Sequence, residues 1–341
     1  MPMGLESSMS EEQLKEMGIK PEEITVEKSE EKKIEKELTP IDKEYKAAQE
    51  RFSGLINLVN ERYENPNSTI AESPEQLKSF EEHNKQILNF CVERGVKKGL
   101  GEKQLATLEA AAILHDLAKS GKPPEESANI QNYMLAAHGE IAANEVKSIF
   151  EQQPEMLTKI LGENYSEEDV EKTISTIEEA IRCHMGPHPG FMTRILENVN
   201  KELQKKGEME IKHPYPEEGN IVAETLLAAD MGSLADRKGR EKVLTIRLNV
   251  PFFRKQDEHL SGECQEFDID LSPGEAALLS GFDSAEQARD MLEDEDDREW
   301  VNELIEESKK GQYTYSEEKI NYHDAITKRE QFETAKRLSK V

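Results

Sequence analysis

The chain has little of what secreted or membrane proteins are built from. Only three cysteines occur in 341 residues. Cys91, Cys183 and Cys264 are odd in number and form no C-x-x-C pair, which argues against a disulfide framework and for a reducing intracellular compartment. No apolar run approaches a membrane span, and the opening MPMGLESSMSEEQ lacks the basic and apolar segments of a secretory signal. A soluble, cytoplasmic protein is expected. Positive charge is also scarce: 44 Lys and Arg against 71 Asp and Glu leave a net charge of −27. A field of that sign repels nucleic acid and anionic membranes, so neither is expected as a partner, and an anionic substrate must be captured by local cations. Apolar residues make up 35% and charged residues 34%, a polar balance that predicts some unpacked chain.

What is present is helical periodicity. Residues 1–40 alternate Glu and Lys with few apolar anchors and read as a disordered charged arm. Ser73-Pro74-Glu75-Gln76 is a capping box with proline at the first helical position, and Ser166-Glu167-Glu168-Asp169 opens another helix. Breaks fall at Gly99–Gly101, Gly121–Pro124, Gly186–Gly190, His213–Gly219 and Ser272–Gly274. LTIRLNVPFF, residues 244–253, is a candidate short strand, but no alternation is long enough to demand a sheet. The 3.6-residue period predicts an all-α protein. Its expected parts are a helical domain over 41–240, with its core at 75–240, and an acidic, mostly helical C-terminal region over 241–341 that carries EDEDD.

Five predicted helices each place one polar residue on an apolar face. Phe80, His83, Ile87 and Phe90 share a stripe, as do Leu105, Leu108, Ala112 and His115. Met134, His138 and Ile141 make a third; Val170, Ile174, Ile177, Ile181 and His184 a fourth; Ala223, Leu227, Asp230 and Leu234 a fifth. One such histidine is ordinarily a core residue bonded to a carbonyl. Five need five separate solutions, or one metal centre. The stretch AAAILHDLAKSGKPP adds Asp116 beside His115, with no basic neighbour before Lys119, and a buried carboxylate without a partner is costly. Neighbours on a helix point about 100° apart, so these two can share an ion only in the wedge between them.

The order His83, His115-Asp116, His138, His184, Asp230 resembles the HD superfamily of metal-dependent phosphohydrolases over residues 75–240. The fragments LAAHGEIAANEV, EEAIRCHMG and LLAADMGSLADR are similar to HD enzymes that split dinucleoside polyphosphates. Cyclic-dinucleotide phosphodiesterases of the superfamily use paired histidines and a G-Y-P loop; here Met185 follows His184 and the loop reads GPHPGF, a departure from that class. The resemblance implies an HD-type helical bundle around a metal centre, with an additional C-terminal helical region. It implies that His83, His115, Asp116 and Asp230 hold a first metal, and that Asp116 bridges to a second held by His138 and His184; the role of His188 stays open. Imidazole with carboxylate suits one or two ions of iron, manganese, nickel, cobalt or zinc.

The implied activity is hydrolysis of a phosphoester or phosphoanhydride in a small, nucleotide-type substrate by metal-activated water, with Asp116 and Lys119 catalytic. Lys119 touches a phosphate, or it is a surface lysine at a helix C-terminus. Arg237 clamps a phosphate, or it is a solvated charge in ADRKGR. A nucleotide sensor without turnover and a structural metal-stabilised helical domain stay open as alternatives. A protein partner or a second copy could use the C-terminal helices. The second His-Asp pair, His323-Asp324, is closely flanked by charge and carries no such expectation.

Overall fold

Helix starts follow the caps the sequence carries. Ser166 Oγ accepts from the Asp169 amide while the Asp169 carboxylate accepts from the Ser166 amide, so the helix opens at Glu167. Ser272 and Glu275 repeat the device ahead of Pro273. The computed structural model describes residues 38–64, 74–120, 130–187, 191–249, 251–310, 314–315 and 320–340. Nearly all of the 1–40 arm, Ser73, the Gly121–Pro124 break and His188 lie outside the described residues.

Fourteen α-helices occur among them. In chain order they are α1 (Pro40–Arg51), α2 (Ser53–Tyr63), α3 (Pro74–Lys97), α4 (Glu102–Leu114), α5 (Ile130–Gln152), α6 (Pro154–Leu161) and α7 (Glu167–Cys183). There follow α8 (Phe191–Lys206), α9 (Ile221–Ala235), α10 (Arg237–Asn249), α11 (Pro251–Gln265), α12 (Pro273–Met291), α13 (Glu295–Lys310) and α14 (Tyr322–Leu338). A 3₁₀ turn at Leu117–Ser120 follows α4, and β1 (Thr314–Tyr315) pairs antiparallel with β2 (Ile320–Asn321). The protein is all-helical apart from that small ribbon.

Two expectations are corrected. Residues 244–249 and 251–253 are helical: α10 runs through Asn249 and α11 starts at Pro251. Among the described side chains of α10, Arg240, Leu244 and Arg247 are buried, a helical stripe that is mostly charged and therefore invisible to a search for apolar periodicity. His115 and Asp116 do not sit inside a helix. Helix α4 stops at Leu114, and the pair forms the turn into the 3₁₀ segment, where the Lys119 amide donates to the Asp116 carbonyl at 2.9 Å.

From Pro40 onward the described residues form one compact unit. Helix α4 is buried on every side from Leu105 to Leu114, and α9 is buried over most of its length, as expected of central helices. Around them, α3 packs on α4 and α9, and α7 packs on α4, α5 and α9. The region beyond 240 shares this core. Trp300 of α13 meets Phe90 edge-on at 5.2 Å and lies so close to Gly232 of α9 that a Cβ there would come within 2.5 Å of its ring. No helix among the described residues is long and apolar enough to cross a membrane.

Candidate metal centre

The five polar residues that shared the apolar faces meet at one place, and the backbone decides how each ring presents itself. The Nδ1 of His115 lies 2.7 Å from the Ala112 carbonyl, that of His184 2.6 Å from the Ile181 carbonyl, and that of His138 3.2 Å from the Met134 carbonyl. A carbonyl only accepts, so each Nδ1 carries the proton and each Nε2 offers a lone pair. Two of those bonds also satisfy carbonyls at the ends of α4 and α7, which helix geometry leaves without partners.

The three lone pairs converge on Asp116. Its Oδ1 is 3.4 Å from His138 Nε2 and 3.7 Å from His184 Nε2. Its Oδ2 is 3.4 Å from both His115 Nε2 and His83 Nε2, and His83 Nε2 lies 3.5 Å from Asp230 Oδ1. The Nε2 atoms of His138 and His184 face each other at 3.0 Å. Acceptors thus point at acceptors. Asp116 Oδ1 and His115 Nε2 are buried with no hydrogen-bond partner among the described residues. Metal–ligand bonds of about 2.0–2.2 Å put neighbouring ligand atoms roughly 3 Å apart, and a cation is what such a set fits. Potential ligands fall into two groups, His83 with His115 and Asp230, and Asp116 with His138 and His184.

For His83, His138 and His184 the electrostatics favour the neutral imidazole that can ligate a metal. Burial lowers His184 well below the ordinary imidazole range, helped by His138 and His115, and lowers His138 with help from Lys119. Burial, with Lys242 nearby, brings His83 down to about 4. Burial acts the same way on His115, but Asp116 outweighs it and the net shift is upward. Asp116 is held well below the carboxylate range: burial opposes this, and His115 and Lys119 overcome it.

Lys119 donates from Nζ to Asp116 Oδ2 at 2.6 Å. Arg237 is the first residue of α10; it is 69% exposed and 3.4 Å from Glu241. The centre is shut on one side and open on the other: His115, Asp116, His138 and His184 are at most 1% exposed, whereas His83, Asp230 and Lys119 are 10%, 15% and 22% exposed. Access is therefore past α3, α9 and the 3₁₀ turn.

Three contributors escaped the sequence. Tyr63 donates from its hydroxyl to the Asp116 carbonyl at 3.2 Å and accepts from Asn84 at 3.1 Å, bracing the turn from α2 and α3. Lys242 of α10 reaches the same neighbourhood; burial and Lys119 lower its ammonium to about 8. Nothing local marks Tyr63 or Lys242, because their partners come from distant segments; Asn84 had only its place beside His83.

The HD domain family model matches residues 80–230. No curated protein and no solved structure matches the chain.

Proposed function

Since residues 80–230 of this chain are an HD domain, a family of generally metal-dependent phosphohydrolases, we propose that it hydrolyses a phosphoester or phosphoanhydride bond in a small nucleotide-type substrate. The observation that carries the proposal is the set of imidazole lone pairs turned on a buried carboxylate whose Oδ1 has no hydrogen-bond donor among the described residues. His83, His115, Asp116 and Asp230 would hold one divalent transition metal, and His138 and His184 a second, with Asp116 spanning both. Bound there, such ions supply a water of lowered pKa and neutralise charge on phosphoryl oxygens.

The chain's own residues do the rest. Backbone carbonyls hold the three ring tautomers, so the Nε2 atoms need no reorganisation. Lys119 fixes the Asp116 carboxylate and presents its ammonium on the accessible side, where it can meet a phosphoryl oxygen.

The test is elemental analysis of protein purified without chelator, followed by turnover of phosphomonoester, phosphodiester and dinucleoside polyphosphate substrates. About two transition-metal ions per chain and metal-dependent turnover are expected. His184→Ala should lower the metal content by about half, leaving the first four ligands to hold the remaining ion. A wild-type protein that binds no transition metal, or binds it and turns over none of these substrates, would contradict the proposal.

A further inference from the structure

The matched domain ends at residue 230, yet the next helix sends a cation back to the centre. The ammonium of Lys242 lies 5.3 Å from the centroid of the Phe80 ring, one turn before His83 on α3. It is within electrostatic reach of His83, Lys119, Asp116 and Asp230. Lys242 is partly buried and makes no ion pair among the described residues. An ammonium that is partly desolvated and has no carboxylate in contact is unfavourable, and the face of one phenyl ring offsets only part of that cost.

The neighbouring charges sharpen the point. Lys119 already gives one of its donors to Asp116 Oδ2 at 2.6 Å. Two divalent ions, two carboxylates and two ammonium groups would leave this pocket strongly positive, inside a chain whose net charge is −27. An anion is what balances it. The helix that carries Lys242 is also rigidly seated. Arg240 donates to the Gly281 carbonyl of α12 and stacks on Phe282, while Arg247 forms a buried pair with Asp257 of α11 at 2.7 Å.

We infer that Lys242 is a phosphate-binding residue of the centre, supplied by a helix beyond the HD domain and held in place by the C-terminal helices. The inference rests on the phosphohydrolase reading above. Lys242 donates to a phosphoryl oxygen of the substrate that Lys119 and the metal ligands do not reach, and the phenyl face of Phe80 aligns its stem.

The experiment is calorimetric titration of inorganic phosphate into manganese-loaded full-length protein, for wild type, Lys242→Gln and Lys242→Arg, with metal content and thermal midpoint measured in parallel. Lys242→Gln should keep the wild-type metal content and midpoint and bind phosphate at least about tenfold more weakly, the weight of one charge-assisted hydrogen bond. Lys242→Arg should recover most of that affinity. If Lys242→Gln fails to fold, Lys242→Met keeps an unbranched stem against Phe80 and reads the same quantity. Unchanged phosphate affinity in the uncharged variants overturns the inference, as does loss of metal, which would make Lys242 a support for the ligands. Either result leaves the phosphohydrolase reading standing if the wild type turns over; a metal-loaded wild type that neither binds phosphate nor hydrolyses an ester removes that reading itself.

Discussion

Asp116 and Asp324 follow histidines in the same dipeptide and have opposite surroundings. Asp116 is fully buried among four imidazoles and Lys119, whereas Asp324 is exposed in the first turn of α14, its amide capped by Asn321. Asp116→Ala should abolish metal binding and turnover and lower the thermal midpoint, because the histidines lose the group that gathers them. Asp324→Ala should stay within the roughly ±0.5 kcal/mol of a surface substitution and keep full metal content; metal analysis and thermal melts of both variants check the pair. Glu109 gives a pH signature away from the metal centre. Its Oε2 accepts from Arg51 at 2.6 Å, but burial dominates and pushes its carboxyl from 4.5 up to about 8, with Arg51 opposing. The folded state then holds this proton more tightly than the unfolded state, so the contribution is full below about pH 4.5 and is lost as pH rises through about 8. Glu109→Gln should remove that part of the decline, seen as a flatter thermal midpoint between pH 6 and pH 9.

The close approach of α5 and α7 decides whether His138 and His184 can face each other. Gly139 sits at that crossing, where an added Cβ would lie 3.1 Å from the Ile181 carbonyl and 3.2 Å from His184 Cε1. That carbonyl is the one that holds the His184 ring. Gly139→Ala should therefore force α7 outward by a few tenths of an ångström and disturb the second ion more than the first. A loss of roughly tenfold in affinity for one of two ions is expected, in the range of changes to groups that orient ligands. Competition with a chelator measures it, and equal loss of both ions would mean that the crossing does not control the second site alone. The 3₁₀ turn after α4 matters for a similar reason. It lets the Asp116 carboxylate face two sets of histidines, which a continuing helix would not.

For the whole molecule, the boundary of the matched domain is not the boundary of the folded unit. Asp297 of α13 accepts from Arg94 of α3 at 2.9 Å in a buried pair, and Ser308 donates to the Ala235 carbonyl that ends α9 at 2.8 Å. A chain ending at Asn249 would take from Arg94 both Asp297 and the covering Trp300, and would uncover the α9 face at Gly232. Breaking such a pair costs about 3–5 kcal/mol, so a drop in thermal midpoint of about 10 °C or outright failure to fold is expected. A chain starting at Thr39 should instead retain metal content and midpoint, since no candidate ligand among the described residues precedes His83 and α1 begins at Pro40. Melting curves and metal analysis of the two truncations compare these outcomes directly.

The sequence by itself determined the helical class and pointed to the candidate ligands, because both rest on local repetition. A 3.6-residue period brings His83, His138, His184 and Asp230 to apolar faces whatever the helices later pack against, and buried polar residues in that number require a common partner. Only the tertiary structure decided how the ligands are used. Which Asp116 oxygen meets which histidines depends on where α4 stops and on the α5–α7 crossing, and the ring tautomers depend on which carbonyl lies beneath each Nδ1. Lys242 and Tyr63 were hidden for the same reason. Lys242 rides on a helix whose buried stripe is charged, Tyr63 looks like any aromatic core residue, and both acquire meaning only from residues far away in the chain. Local pattern can place a side chain on a face, whereas the neighbours across that face are set by the packing of the whole fold.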